Sequence, residues 1–145
     1  DTDMVGPYGY CADISRTYVE GNKFSDNQKK LYSMAVEQIN HNARLIKPGM
    51  SFKEFTEKSW ILPEEYYGNR YSVMVHGIGL CDEWPAIRYP TDGGERSGTF
   101  ETNMTITVES YIGKVRGKEG VKLEQQYLVG QNSLELMSHH HLEDI

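Results

Sequence analysis

The residues best suited to chemistry in this sequence surround one histidine, His76, in the stretch 75–85 (VHGIGLCDEWP). Two glycines allow a close approach of the backbone there, and a pair of carboxylates follows at Asp82 and Glu83. Other acidic side chains fall on the polar side of predicted strands, where an unpartnered charge is costly. One imidazole with several carboxylates suits a divalent ion such as iron, manganese, cobalt or zinc. The candidate ligands are Asp1, Asp3, Asp13, His76, Glu109 and Glu124.

Each of these residues also has an ordinary structural interpretation. A lone histidine in a strand is more often a hydrogen-bonded core residue than a metal ligand. Strand glutamates more often lie at a solvated edge or in a salt bridge, and the three aspartates fit a solvated hairpin edge about as well as a cation site. The metal interpretation therefore depends on the whole set, because every member lies on the polar side of a predicted strand.

Alternating apolar and polar residues predict the strands that would position these ligands. Residues 1–19 predict two strands around a turn, and further strands are predicted at 71–80, 103–112 and 121–124. Residues 86–100 contain several glycines and a proline and are predicted to be a loop. The predicted strands thus lie at both ends of the chain.

Two helices are predicted between these groups of strands. Ser25 is an N-cap candidate for a helix over 25–48, and Ser51 with Glu54 has the spacing of a capping box for a second helix near Phe52. Strands at both ends with helices between them indicate an α+β fold, with an antiparallel sheet covered on one face.

Composition limits the classes of partner. The 145 residues are enough for one domain with a core, and the formal charge of −6 argues against nucleic acid and anionic membranes as partners. The two cysteines form no disulfide framework, so we expect a reducing, cytoplasmic setting. The chain begins without methionine inside a predicted strand, and we expect a fragment that lacks its N-terminal part. The run His139–His141 is interpreted as a surface feature or an added tag, not as a metal site.

The motifs around the candidate ligands resemble those of the creatinase/methionine aminopeptidase/prolidase superfamily, which has the pita-bread fold. The shared features are the ligand order Asp-Asp-His-Glu-Glu and the motifs GYCADISRT, HGIGL, TVESYIG and GVKLEQQYLV. The resemblance implies a curved antiparallel sheet with helices on one face. It also implies that residues 1–145 are the C-terminal part of a single catalytic domain, and that the full-length protein is a homodimer.

Three positions depart from the peptidase pattern of this superfamily. The peptidases usually place their first aspartate ligand eleven residues before the second, where Thr2 stands here between Asp1 and Asp3. They carry a histidine seven residues after the metal histidine, and the proline-specific members often carry another four residues before it. Glu83 and Ser72 occupy those positions here. Without these histidines, the tetrahedral intermediate of amide hydrolysis loses its expected stabilisers.

The same departures are similar to those of the dimethylsulfoniopropionate (DMSP) lyases of the DddP kind. This resemblance implies that the six candidate ligands hold the metal, with iron expected. It further implies Asp82 as the catalytic base and Tyr71 near the substrate, with Trp84 as a second aromatic candidate because a sulfonium favours aromatic faces. The predicted function is the cleavage of DMSP into dimethyl sulfide and acrylate by β-elimination. Two alternatives remain open, namely an Xaa-Pro metallopeptidase or hydrolase of the same fold and a non-catalytic binding module.

Overall fold

A computed structural model of the chain describes residues 1–21, 23–94 and 97–143. Its strands are β1 Met4–Val5, β2 Cys11–Ala12, β3 Val73–Gly77, β4 Ala86–Arg88, β5 Thr105–Gly113, β6 Gly120–Val129 and β7 Leu134–Leu136. The last five form one antiparallel sheet in the order β4-β3-β5-β6-β7, and β1 pairs with β2 in a separate antiparallel hairpin. The longest ladder, between β5 and β6, lies at the centre of the larger sheet.

Three helices separate the hairpin from the main sheet: α1 Asp26–Leu45, α2 Phe52–Lys58 and α3 Glu64–Tyr67. Ser25 caps α1 in a capping box with Gln28, and Ser51 caps α2 by accepting a hydrogen bond from the Glu54 amide. In the described part of the chain, no helix is long and apolar enough to cross a membrane.

The core lies between α1 and one face of β5 and β6. Ala35 and Ile39 of α1 and Val108 of β5 are fully buried there. On the same face, Ser110 donates a hydrogen bond to Gln38 of α1 (2.6 Å). Because side chains alternate along a strand, the neighbours of these residues on β5 and β6 project to the opposite face of the sheet. Glu109 is one of them, so the candidate ligands of the sheet lie opposite α1.

The predicted α+β class, with an antiparallel sheet and helices on one face, is confirmed. The predicted loop over 86–100 is wrong at Ala86–Arg88, which forms the edge strand β4. Three residues are too few to show an alternating pattern, and β4 forms because it pairs with β3. The strand predicted at 121–124 continues to Val129, and β7 was not predicted. The two consecutive glutamines at 125–126 interrupt the alternating pattern, so the sequence does not indicate that the strand continues. Their backbone groups nevertheless pair in the ladder as those of the other strand residues do.

The N-terminal hairpin is also shorter than predicted. Residues 1–19 were expected to form two strands, but β1 and β2 have two residues each and enclose a 3-10 turn at Pro7–Gly9. Beyond β2 the chain follows β6 through individual hydrogen bonds, so its alternation is preserved without a regular ladder.

Candidate metal centre

Three neighbouring strands bring the histidine and two glutamates together. Glu109 of β5 lies directly opposite Glu124 of β6, and His76 of β3 lies opposite Thr107 of β5. All three ionisable residues are at most 1% exposed. Carboxylates facing each other inside a protein repel strongly, so this pair needs a compensating positive charge.

The segment after β2 adds Asp13 to this group. The Glu124 amide donates a hydrogen bond to the Ser15 carbonyl (3.1 Å), and the Lys122 amide donates one to the Thr17 hydroxyl (3.0 Å). These bonds hold the segment alongside β6. Asp13, 3% exposed, consequently reaches the imidazole of His76.

His76 is oriented with one ring nitrogen toward the carboxylates. Its Nε2 lies 3.1 Å from Oε1 of Glu124, 3.7 Å from Oε1 of Glu109 and 3.8 Å from Oδ2 of Asp13. Its Nδ1 lies 3.0 Å from the carbonyl oxygen of Gly77. A carbonyl can only accept, so Nδ1 carries a proton and Nε2 is the atom available to a metal.

Burial and mutual repulsion shift the pKa values of these groups. Burial and the charge of Glu124 raise the pKa of Asp13 to about 7 and that of Glu109 to about 8. Burial alone would lower the pKa of His76, but its hydrogen bonds to Glu124 and Gly77 raise it to about 9. Burial alone would raise the pKa of Glu124, and the hydrogen bond and charge of His76 lower it instead. Without a cation, the cluster therefore retains protons.

This donor set fits a divalent metal ion. One ligand atom from each of Asp13, His76 and Glu124 lies within 4.8 Å of the others. Within the described residues, Asp13 Oδ1 and Glu109 Oε1 are buried without a hydrogen-bond partner. Buried carboxylate oxygens without partners are costly unless they bind something else. A transition-metal ion would supply that partner with the nitrogen and oxygen ligands it prefers.

A second group of carboxylates adjoins the first and comes from the loops. One oxygen each of Asp3, Asp13 and Asp82 lies within 4.8 Å of the others, with Asp3 and Asp82 exposed. Asp13 belongs to both groups and connects them. The structure thus brings Asp82, the residue predicted to act as a base, beside two predicted metal ligands.

Backbone contacts fix the loop that carries Asp82. The Cys11 amide donates to the Gly79 carbonyl (2.7 Å), and the Gly77 amide donates to the Pro85 carbonyl (2.9 Å). Any Cβ at Gly77 would lie 2.1 Å from the carbonyl oxygen of Trp84. Only glycine permits this approach, which explains the first glycine after His76.

Two residues in the centre were missed by the sequence reasoning, Lys122 and Ser15. Lys122 Nζ lies 2.5 Å from Oδ2 of Asp1, 3.6 Å from Oε2 of Glu109 and 3.8 Å from Oε2 of Glu124. The Ser15 hydroxyl contacts the carboxylates of Asp1 and Glu124. Both residues lie two positions from a predicted ligand, and this spacing along an extended chain would have indicated a shared face.

The remaining predicted site residues lie at different distances from the cluster. Asp1 is exposed and paired with Lys122. Tyr71 donates a hydrogen bond to Glu83 (3.1 Å), and burial and the charges of Glu109 and Glu83 raise its pKa to about 12. Trp84 is 61% exposed and borders a shallow hollow that also contains Phe52, Gly98 and Met104. Its contact with substrate stays a prediction.

The histidine run at the C-terminus lies elsewhere. His140 Nε2 is 2.8 Å from the hydroxyl of Tyr18. Among the described residues, neither group of potential metal ligands includes His139, His140 or His141.

The antiparallel sheet with helices on one face and the histidine–carboxylate cluster on the other have the arrangement of the pita-bread fold, with a donor set that suits a divalent metal. The chain belongs to metallopeptidase family M24, whose sequence profile matches residues 2–131. Prolidase from Pyrococcus furiosus has the same fold, with a TM-score of 0.74 and 28% sequence identity over 91% of this chain and 38% of that one.

Two curated relatives match the chain more closely in sequence. The dimethylsulfoniopropionate lyase DddP of Roseovarius nubinhibens is 37% identical over an alignment of 139 positions, and the match covers 93% of this chain and 31% of the relative. The protein of the same name from Roseobacter denitrificans is 36% identical over 93% of this chain and 31% of its own length. The chain thus spans about a third of the length of these relatives. The predicted resemblance to DddP-type lyases and to the pita-bread superfamily is confirmed.

Proposed function

We propose that the protein is a metal-dependent lyase that cleaves DMSP to dimethyl sulfide and acrylate. The observation that carries this proposal is the position of Asp82, six residues after His76, with its carboxylate beside Asp3 and Asp13. A carboxylate at that position can remove a proton from a substrate bound at the metal centre. The similarity of the chain to two proteins named DddP supports the same reaction.

The residues that would hold the metal are those predicted from the sequence. Asp3, Asp13, His76, Glu109 and Glu124 converge on one region, and Asp1, paired with Lys122, adjoins it. We propose all six as ligands and iron as the metal, with zinc, manganese or cobalt as alternatives. When bound, such an ion supplies a Lewis acid for the substrate carboxylate, which acidifies the carbon next to it.

The chain's own residues would then carry out the elimination. Asp82 takes the proton from the carbon adjacent to the carboxylate, and the released electron pair forms the carbon–carbon double bond. The bond between the β carbon and sulfur breaks, and its electron pair leaves with sulfur. Dimethyl sulfide departs as a neutral molecule from a cationic sulfur, so no strong acid is needed. Acrylate remains, and Asp82 returns its proton to solvent. We further propose that Tyr71 and Trp84 offer aromatic faces to the sulfonium.

The test is the release of dimethyl sulfide from DMSP, measured by headspace gas chromatography on full-length, metal-loaded protein. Asp82→Asn should lower kcat by roughly a thousandfold, within the usual range for loss of a general base. Asp26→Asn, at an exposed position in the first turn of α1, is the control for the charge change and should retain activity. Absence of dimethyl sulfide from the wild type, or undiminished release from Asp82→Asn, would refute the proposal.

A second candidate function is hydrolysis of Xaa-Pro bonds. The observation that favours it is the 28% identity to a prolidase over 91% of the chain. Glu83 and Ser72 at the two positions where the peptidase pattern has histidines count against it. Turnover of an Xaa-Pro dipeptide, assayed on the same preparation, would favour the peptidase. A full-length protein that binds no transition metal would instead favour a non-catalytic binding module.

We also propose a setting for the chain within its protein. Residues 1–145 would form the C-terminal part of a single pita-bread domain. Their coverage of 38% of a prolidase chain with that fold supports a part of the domain rather than the whole. Two such domains would associate as a homodimer, which light scattering on the full-length protein can measure. The two free cysteines suit a reducing compartment, and we propose the cytoplasm.

A further inference from the structure

Glu83 has an unusual backbone conformation beside the candidate base. Its φ of 55° is in the left-handed region, which residues with a Cβ adopt sparingly. Such positions persist only where the surrounding contacts fix them, and they cluster at functional sites. Here the loop is fixed on one side by Gly77, which contacts Trp84 and Pro85. On the other side, the Tyr71 hydroxyl donates a 3.1 Å hydrogen bond to Oε1 of Glu83.

The Tyr71 ring already faces a cationic side chain, that of Lys122. Lys122 Nζ is 5.0 Å from the centroid of this ring, within the range of a cation–π interaction. Glu83 places a carboxylate at the hydroxyl end of the same ring. An aromatic face with a fixed negative charge at its edge is the combination that binds sulfonium and quaternary ammonium groups.

The chemistry of the proposed reaction puts the cationic group of the substrate near this pair. In a carboxylate with an onium group on the β carbon, the cation is two bonds from the carbon that loses its proton. Asp82 would remove that proton, and Glu83 is its immediate neighbour in the loop. We propose that Glu83, held by Tyr71, is the specificity-determining contact for the onium group, so that the centre selects β-onium carboxylates over neutral carboxylates of equal shape. This inference rests on the proposed function, because the proposed reaction determines where the substrate lies.

A matched pair of probes tests this selectivity. The ligands 3-(trimethylammonio)propionate and 4,4-dimethylpentanoate differ only in a cationic nitrogen against a neutral carbon. Calorimetric titration of full-length, metal-loaded protein should show a preference of about fivefold for the cationic probe, the size of one partly exposed charge pair. Glu83→Gln keeps an acceptor for Tyr71 but removes the charge. It should abolish the preference by weakening the cationic probe alone.

Two further variants complete the experiment. Glu37→Gln on the exposed side of α1 makes the same charge change far from the loop and should leave the preference unchanged. Tyr71→Phe keeps the ring but removes the hydroxyl that holds Glu83. It should lower the fivefold preference for the cationic probe by about half. If Glu83→Gln retains the preference, or weakens both probes equally, the inference is wrong. Circular dichroism on each variant shows whether it is folded, and Tyr71→Phe provides an independent test if Glu83→Gln is not.

The same variants separate this inference from the proposed lyase activity. If DMSP releases dimethyl sulfide but Glu83→Gln leaves KM unchanged and lowers kcat alone, the reaction stands and Glu83 is not the onium contact. If the cationic probe is preferred and the preference depends on Glu83, but no dimethyl sulfide forms, the onium subsite stands and the lyase proposal fails.

Discussion

The two parts of the centre differ in how their residues are held. His76, Glu109 and Glu124 come from the middle of paired strands and are at most 1% exposed. Asp3 and Asp82 come from a segment before a two-residue strand and from a loop, and both are exposed. Asp13 contributes to both parts. The sheet part is built to concentrate charge in a rigid, buried place, whereas the loop part can change without disturbing the ladder.

This difference explains how one scaffold can serve two reactions. A metal centre is held more precisely by ligands on rigid elements, and the sheet part provides such ligands irrespective of the substrate. The choice between hydrolysis and proton abstraction depends on which groups face the substrate. Under the proposed function those groups are Asp82 and Glu83, which lie in the loop part, where the chain departs from the peptidase pattern. We therefore propose that the sheet part supplies most of the metal ligands and that the loop part determines the type of reaction.

The largest effect is expected when a ligand of the sheet part is removed. His76→Ala removes the proposed nitrogen ligand of the metal. It also removes the imidazole that lies between the buried carboxylates of Asp13, Glu109 and Glu124. Loss of metal binding removes several kcal/mol of Lewis-acid assistance, so the release of dimethyl sulfide should fall by about a thousandfold or more. Elemental analysis of the purified variant should show loss of bound metal.

His41→Ala is the matched control for this variant. His41 is an exposed histidine of α1 whose ring contacts the Lys58 carbonyl. It should retain both metal and activity. A His76→Ala protein with full metal content would show that the loop part holds the ion by itself, and would reverse the assignment of roles.

The next effect concerns the stability of the metal-free protein. The pKa of Asp13 is raised from 3.8 to about 7, that of Glu109 from 4.5 to about 8, and that of His76 from 6.5 to about 9. Raised pKa values mean that the folded protein binds protons more tightly than the unfolded one. Their contribution to stability is full below the unfolded pKa values and is lost as pH rises through the folded ones. The lowered pKa of Glu124 has the opposite effect, but only below its ordinary value of 4.5.

The free energy of unfolding should therefore fall by a few kcal/mol, on the order of two to three pKa units of one group, between about pH 5 and about pH 9 in the presence of a chelator. Metal should remove most of the loss, since the ion replaces the protons. Urea unfolding at several pH values measures the slope, and Glu109→Gln should make it shallower. If the metal-free protein becomes more stable as the pH rises over this range, the raised pKa values of the buried groups are wrong.

The sheet part was also the easier part to predict from the sequence. Glu109 falls on the polar side of a strand whose alternation is regular, so its face and its neighbours follow from a period of two. The loop part has no such pattern. The proximity of Asp82 to Asp3 depends on the backbone of Gly77 and Gly79, and family motifs rather than periodicity indicated the role of Asp82. Lys122 escaped prediction because an isolated lysine in a strand is ordinarily a solvated residue, and only the fold brings it to Asp1.

The smallest effect should come from Lys122, which lies between Asp1 and the sheet part. Its ammonium group pairs with Asp1 and lies 3.6 Å and 3.8 Å from Glu109 and Glu124, where it competes with a divalent ion for the same carboxylates. Lys122→Met should therefore raise metal affinity by about fivefold, roughly 1 kcal/mol for a partly exposed charge. Titration with a competing chelator measures the change. Lys114→Met, which removes a lysine paired with Glu65 on the surface, controls for net charge.

A lower affinity in Lys122→Met would mean that Lys122 acts chiefly by holding Asp1 in place for the metal. The position of Asp1 would then matter more for metal binding than the competition between Lys122 and the ion.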